Sequence, residues 1–207
     1  MIYFLGGPPR VGKSTIARTI TGKHNINVVS TDSLGAVLES VLDPKLEPGL
    51  FIVNKFNEMR VEDRINMMVK NTTEHLHHQI EENRAVWKAV VPFVQREKDE
   101  GRDVLVEGVA ILPELVNRLE NVEYRIVLIG NQGKEHRENI KRSAQENELD
   151  WMQNAGDRYI DAFAVFVKEM SEYLEGEAHI YGFNYIEMSS RPFDESVCQV
   201  IDTLLGI

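Results

Sequence analysis

The feature that most restricts the fold of this chain is its glycine-rich segment, Gly7-Pro8-Pro9-Arg10-Val11-Gly12-Lys13-Ser14. Two glycines stand five residues apart and Lys13 and Ser14 follow at once, which is the pattern of a phosphate-binding loop. An apolar stretch, residues 2–5, precedes the segment, and a helix-forming stretch, residues 13–21, follows it. A strand, this loop and a helix in that order are typical of an α/β protein.

The chemistry of the segment points to nucleotide phosphates. Backbone N–H groups of the loop and of the helix start would surround an anion. Lys13 would place a positive charge at the β and γ phosphates, and the Ser14 hydroxyl would coordinate magnesium. We therefore predict ATP and Mg²⁺ as cofactors, and a catalytic role for Lys13. The residues predicted to hold the nucleotide are Gly7, Pro8, Pro9, Arg10, Val11, Gly12, Lys13, Ser14 and Thr15.

Strands and helices alternate along the whole chain, which predicts a parallel sheet covered by helices on both faces. We expect one domain, residues 1–207, with a helical insertion at about residues 44–102. Within the insertion, apolar residues follow a helical spacing in residues 61–80 and 85–98, and Pro92 is expected to kink the second run. The predicted strands are residues 2–5, 27–31, 103–108, 124–130 and 183–188.

Charge and cysteine content exclude several classes of protein. The chain has 33 acidic and 23 basic side chains, a net charge of −10, and no run of basic residues. This balance argues against nucleic-acid and membrane partners. A single cysteine, Cys198, excludes an intramolecular disulfide, and the four apolar residues 2–5 are too few for a signal peptide or a membrane span. We expect a cytoplasmic monomer or homodimer.

Two acids follow predicted strands, at the sheet edge where parallel α/β proteins bind ligands. Asp32 ends the second strand, and its carboxylate could accept the proton of an attacking hydroxyl or cap the next helix, two roles that are compatible. Glu107 ends the third strand, where an acid would hold magnesium directly or through water. The alternative for Glu107 is an ordinary acid at a strand end.

Cations follow the fourth strand on a predicted helix, residues 134–146. Arg137 and Lys141 share one helical face and Arg142 is close by, so these side chains could close over the triphosphate. We predict catalytic roles for Arg137 and Arg142, with Arg158 as a further candidate. The alternative is a solvated face balanced by nearby acids, Glu135, Glu138 and Glu146.

Other polar residues carry weaker signals. His75 and His78 have the helical spacing of metal ligands, but without a carboxylate or thiolate partner they are interpreted, with His77, as a polar helix surface. Cations near the start of the insertion suit an anionic substrate, although each taken alone is expected to be a surface residue. These cations are Lys55, Arg60 and Arg64.

Four segments together resemble the small P-loop kinases of the adenylate-kinase and shikimate-kinase type, and more narrowly the 2-phosphoglycerate-kinase-like and zeta-toxin-like proteins. They are Gly6 to Thr15, Ser30 to Ser33, Leu105 to Val109 with Leu112-Pro113 after it, and Asp157 to Ile160. The resemblance implies a three-layer α/β sandwich with a five-stranded parallel sheet of order 2-3-1-4-5. It also implies phosphoryl transfer from ATP to a small-molecule hydroxyl, Asp32 as the base, and a mobile lid at about residues 131–154.

The chain departs from these relatives at two positions. Arg10 stands where many such loops carry glycine, and it would bring a second cation near the phosphates. Ala110 replaces a histidine common in 2-phosphoglycerate kinases, which puts the glycerate substrate in doubt. The leading hypothesis is an ATP-dependent phosphotransferase; the alternatives are a nucleoside or nucleotide kinase and an ATP-binding switch or toxin-like protein.

Overall fold

The computed structural model describes residues 1–146, 150 and 152–207. Its sheet has five parallel strands in the order β2-β3-β1-β4-β5, which confirms the predicted order 2-3-1-4-5. The strands are β1 Ile2–Gly6, β2 Asn27–Ser30, β3 Val104–Gly108, β4 Tyr124–Gly130 and β5 Asn184–Glu187.

Helices cover both faces of the sheet. Helices α1 and α9 contact each other and the sheet on one face, and α5 and α8 do so on the other. The helices are α1 Lys13–His24, α2 Thr31–Val41, α3 Ile52–Glu58, α4 Val61–Lys70, α5 Thr72–Asp99, α6 Pro113–Val116, α7 His136–Gln145, α8 Asp157–Tyr181 and α9 Phe193–Leu205, with a 3-10 turn at Pro48–Phe51. Within the described residues, no helix has both the length and the apolar composition needed to span a bilayer.

The strand register places the predicted site. Glu107 of β3 lies beside Leu5 of β1 on one side and Ser30 of β2 on the other. Because β1, β2 and β3 run in the same direction, the loop after β1 and the start of α2 emerge at the same edge of the sheet. Residues far apart in sequence therefore meet at the end of β3.

The helices of the insertion differ from the prediction of two runs, residues 61–80 and 85–98. Helix α5 is continuous over 28 residues and includes the end of the first run and all of the second. Between the two predicted runs, the buried amide of Asn83 has hydrogen-bond partners. It donates to the Val109 carbonyl at 2.9 Å and accepts from Gln79 at 3.1 Å. Pro92 lies on the exposed side of α5, where water can bond the carbonyl that proline leaves free. The helix break falls instead at Asn71.

The second half of α5 belongs to the main core. Trp87 packs on Phe4 of β1 with ring centroids 5.9 Å apart, and Val90 and Val94 are completely buried. The large aromatic side chains therefore join the insertion to the centre of the sheet, each burying enough apolar surface to stabilise that junction by about 1.5–3 kcal/mol. The insertion and the sheet share one hydrophobic core.

His75 is a core residue, so the interpretation of all three histidines as helix surface is wrong for this one. Its ring stacks on Phe56 at 4.4 Å and packs against Phe166 at 4.5 Å, and the residue is buried. Burial, assisted by nearby His78, lowers the pKa of His75 to about 4, so the ring is neutral near pH 7. His77 is exposed, as expected.

Candidate active site

The phosphate-binding loop joins β1 to α1 with a backbone that needs glycine. Gly12 has φ 107°, in the left-handed region, and a side-chain carbon there would lie 2.9 Å from the Phe193 ring. No side chain caps the start of α1. The first N–H groups of that helix are therefore available to an anion, as the sequence pattern requires.

Lys13 lies inside this loop. Its ammonium donates to the carbonyl oxygens of Gly7, at 2.9 Å, and Pro8, at 2.6 Å, and the residue is buried. Burial lowers the pKa of Lys13, while the nearby carboxylates of Glu107 and Asp32 raise it. The loop thus holds a cation at its centre, next to two acids.

Glu107 is buried at the end of β3. Burial raises the pKa of its carboxyl group, Asp32 raises it further, and Lys13 and a hydrogen bond from Ser30 lower it. The structure therefore brings together Lys13, Asp32 and Glu107, which the sequence analysis predicts to bind phosphate, to act as the base and to hold the metal. Ser14, the other predicted metal ligand, is exposed on the first turn of α1.

Asp32 is not the cap of the helix it begins. Helix α2 starts at Thr31, so Asp32 lies inside its first turn, and the Ser30 hydroxyl is the cap, accepting the Asp32 N–H at 3.2 Å. Because Ser30 takes the capping role, the carboxylate of Asp32 is left exposed at the sheet edge. The capping alternative is wrong, and the role as a base stays a prediction.

Gly108 is a site residue that the sequence identified only as part of a motif. Its φ is 150°, and a side-chain carbon at this position would overlap the Thr31 hydroxyl. Thr31 is buried. The absence of a side chain at Gly108 therefore allows the start of α2, with Asp32, to approach Glu107.

Most of the predicted lid cations are paired with acids. Arg137 contacts Asp161 at 2.6 Å and also pairs with Asp157, which Lys141 contacts at 2.7 Å. Both acids lie on α8, so this face of α7 is turned toward α8. Arg142 is exposed and donates to Asn139, and Arg158 pairs with Glu62 of α4. Their roles at the triphosphate stay predictions; residues 147–149 and 151 of the predicted lid lie outside the described residues.

The cations of the insertion occupy different environments. Arg64 lies over the Tyr159 ring, 5.2 Å from its centroid, whereas Arg60 pairs with Asp63 at the surface and Lys55 is exposed. A guanidinium stacked on a tyrosine is held in a fixed orientation. Of these three cations, Arg64 is therefore the one held by a neighbouring ring, and contact of any of them with a substrate anion stays a prediction.

Glu82 of α5 is an acid that the sequence reasoning missed. Its Oε2 atom is buried and has no hydrogen-bond partner among the described residues. Burial raises the pKa of Glu82 to about 8, with contributions from Glu39 and Asp32, although the Val53 N–H donates to the carboxyl group and lowers it. The carboxyl group of Glu82 is therefore protonated near pH 7, close to Asp32. It was missed because only packing distinguishes Glu82 from exposed Glu81.

We expect Glu82→Gln to stabilise the fold at alkaline pH. The pKa rises from 4.5 in the unfolded chain to about 8, so folding binds a proton in this interval and the wild type loses stability as pH rises through it. Glutamine mimics the protonated acid, and because each pKa unit corresponds to about 1.4 kcal/mol, we expect a gain of about 4 kcal/mol at pH 8.5 and almost none at pH 4. Urea denaturation at both pH values measures it.

Glu81→Gln is the matched control for this prediction. Glu81 is exposed and pairs with Arg84 at 2.6 Å, so its replacement should change stability by less than about 0.5 kcal/mol at either pH. A Glu82→Gln effect of the same size at pH 4 and pH 8.5 would contradict the assignment of a raised pKa.

Comparison with known proteins agrees with this architecture. No family model matches the chain. It is 26% identical over 205 residues to the 2-phosphoglycerate kinase of Methanopyrus kandleri, covering 97% of this chain and 59% of that protein. It is 25% identical over 210 residues to the 2-phosphoglycerate kinase of Pyrococcus horikoshii, covering 99% of this chain and 64% of that one. The chain thus spans about three fifths of the length of these curated relatives.

A solved structure supports the fold. The shikimate kinase of Bacteroides thetaiotaomicron superposes with a TM-score of 0.50 at 16% identity, covering 100% of this chain and 99% of that one. The comparisons confirm the predicted resemblance and the predicted α/β fold. This chain has the fold of the small P-loop kinases and is similar in sequence to 2-phosphoglycerate kinases.

Proposed function

We propose that this chain transfers the γ-phosphoryl group of ATP to a hydroxyl of a small-molecule acceptor. The observation that carries the proposal is the meeting of Lys13, Asp32 and Glu107 at the end of β3, beside the phosphate-binding loop. A buried cation and two acids at this sheet edge are the parts that phosphoryl transfer uses. The kinase names of the relatives support the same reaction class.

The residues present fit Mg-ATP. The uncapped start of α1 and the buried ammonium of Lys13 suit a polyphosphate, and the Ser14 hydroxyl and Glu107 carboxylate are oxygen donors of the kind magnesium prefers. When bound, the metal ion would neutralise charge on the β and γ phosphates. Lys13 would exchange its bonds to the Gly7 and Pro8 carbonyls for bonds to phosphate oxygens.

Asp32 would orient the acceptor. Its carboxylate is exposed at the sheet edge, and the Ser30 cap and the contact between Thr31 and Gly108 fix the turn that carries it. The Oδ atoms can accept a hydrogen bond from the acceptor hydroxyl and take its proton as its oxygen bonds to the γ-phosphorus, while the bond from that phosphorus to the ADP oxygen breaks and ADP leaves. Catalysis would then depend on position and on charge stabilisation by Lys13.

We propose 2-phosphoglycerate as the first acceptor to test, because the curated relatives are named for that substrate. The Ala110 position is buried with Leu50, Ala85 and Val86 in a small apolar cluster. A histidine there would have to displace this packing, so the chain must bind its acceptor with other groups. A screen of hydroxylated metabolites for acceptor-dependent ADP release covers the remaining candidates.

Asp32→Asn tests the base assignment. We expect a loss of about 100-fold in kcat with the best acceptor and little change in ADP affinity, since asparagine keeps the shape but cannot take a proton. The measurement is steady-state ADP release. Asp202→Asn, on the exposed side of α9, is the matched control and should behave as wild type. Undiminished turnover by Asp32→Asn would show that Asp32 is not the base.

A further inference from the structure

Arg10 of the phosphate-binding loop forms an ion pair with Asp150, 140 residues away in the sequence. The side chains are only 14% and 9% exposed, so water weakens the attraction little. A second nitrogen of the Arg10 guanidinium donates to the Ser143 hydroxyl of α7 at 3.4 Å. The loop is thereby tied to two points of the predicted lid.

Asp150 is held in place for this contact. Its carboxylate also accepts the N–H of Met152 at 2.8 Å, and Met152 is buried in the main core. Arg10 is the principal cause of a lowered pKa of the Asp150 carboxyl group, so this acid is ionised near pH 7. The ion pair therefore joins a fixed anion to the loop.

Arg10 is also placed where a cation could bind phosphate. Arg10 stands within the run that curves around the phosphate site, three residues before Lys13, and its own φ of 66° lies in the left-handed region. A guanidinium binds phosphate oxygens with the same planar, two-pronged geometry that it uses for a carboxylate. Asp150 is thus paired with an arginine that lies among the groups predicted to bind phosphate.

Two cations of the predicted lid are bonded elsewhere. Arg137 and Lys141 are paired with Asp157 and Asp161 on α8. The contact between the loop and the predicted lid is made instead by Arg10 with Asp150 and Ser143. A polyphosphate arriving at the loop would meet an arginine whose bonding is already committed.

We propose that Asp150 competes with the nucleotide phosphates for Arg10, so that nucleotide binding exchanges the carboxylate for phosphate and frees Asp150 from the loop. This inference rests on the proposed binding of a nucleotide at the loop. Removing the competing charge should strengthen nucleotide binding. If Asp150 instead held Arg10 as a permanent support, removing it would weaken binding, and the two cases differ in sign.

Calorimetric titration with ADP, without metal, tests the exchange. We expect Asp150→Asn to bind ADP roughly fivefold more tightly than wild type, the size of one moderate ion pair. Arg10→Gln should bind more weakly, and the double variant should match Arg10→Gln, because the competitor has no effect once its target is gone. Asp202→Asn, which changes the net charge equally, should change ADP affinity less than twofold, or by under about 0.4 kcal/mol.

The outcomes separate this inference from the proposed function. Wild-type protein that binds no ADP would contradict the proposed function and leave Asp150 nothing to compete with. ADP binding that Asp150→Asn leaves unchanged or weakens, in a variant that melts like wild type, would overturn the competition alone.

A measurement on the wild type covers the case in which Asp150→Asn fails to fold. The carboxyl carbon of Asp150, followed by NMR through a pH titration, reports the pKa of this group. Saturation with ADP should raise the lowered pKa toward its ordinary value as Arg10 leaves. A pKa that stays low with ADP bound would overturn the exchange.

Discussion

Lys13→Ala is expected to lower kcat/KM for ATP by about 100-fold or more, corresponding to about 3 kcal/mol or more of lost transition-state stabilisation. The ammonium lies at the centre of the loop on the Gly7 and Pro8 carbonyls, and alanine would leave no cation there. Because the same charge would contact the phosphates before and during transfer, we expect both ADP affinity and kcat to fall. Acceptor-dependent ADP release and ADP titration measure the two effects.

Lys23→Ala is the matched control, since Lys23 is exposed in the last turn of the same helix. It should keep wild-type turnover and ADP affinity. A Lys13→Ala protein that keeps its fold, binds ADP normally and turns over at the wild-type rate would contradict the assignment of this loop as the phosphate site.

Gly108→Ala is expected to be the most destabilising of the substitutions considered, by about 3 kcal/mol or more, or a fall in Tm of about 10 °C. The methyl group would overlap the Thr31 hydroxyl, and alanine is strained at a φ of 150°. Relief would require α2 to move away from β3. We therefore also expect reduced turnover in whatever fraction of the protein remains folded.

Gly22→Ala and Gly176→Ala control for the substitution itself. Both glycines lie within helices, α1 and α8, and a methyl group at either meets no atom within 4 Å. Each should stabilise the protein by up to about 1 kcal/mol, since alanine favours helix more than glycine does. Thermal and urea denaturation measure all three variants. A Gly108→Ala protein as stable as wild type would show that the end of β3 tolerates a displaced α2.

The sequence predicted the parts of this molecule that local patterns encode. The phosphate-binding loop could be predicted from Gly7 to Ser14 alone, because the two glycines, the lysine and the serine that define it all lie within eight residues. The strand order came from a family resemblance, since no local pattern states which strands are neighbours. The end of β3 was identified through Glu107, an acid that directly follows an apolar run.

What the sequence did not predict depends on contacts between distant residues. The pKa of Glu82 is raised to about 8 by burial and by acids on another helix, and the sequence around Glu82 shows neither effect. Asp150 meets Arg10 across 140 positions. Asn83 lies within the unbroken helix α5 and donates to a carbonyl of the β3–α6 connection, Val109. In each case the deciding term is a tertiary interaction, which overrides local preference.

The continuity of α5 has a consequence for how such a protein diversifies. The single helix α5 carries Glu82, which lies near Asp32, and five residues later Trp87, which packs on β1, the central strand. Because a packed helix moves as a rigid body, repacking beneath β1 would shift Glu82, beside Asp32, as well. Exchanging residues 44–102 between related chains would therefore change the support of the sheet together with the surroundings of Asp32. Under the proposed function, we therefore expect a change of acceptor to come more readily from side chains on α5 than from exchange of the whole segment.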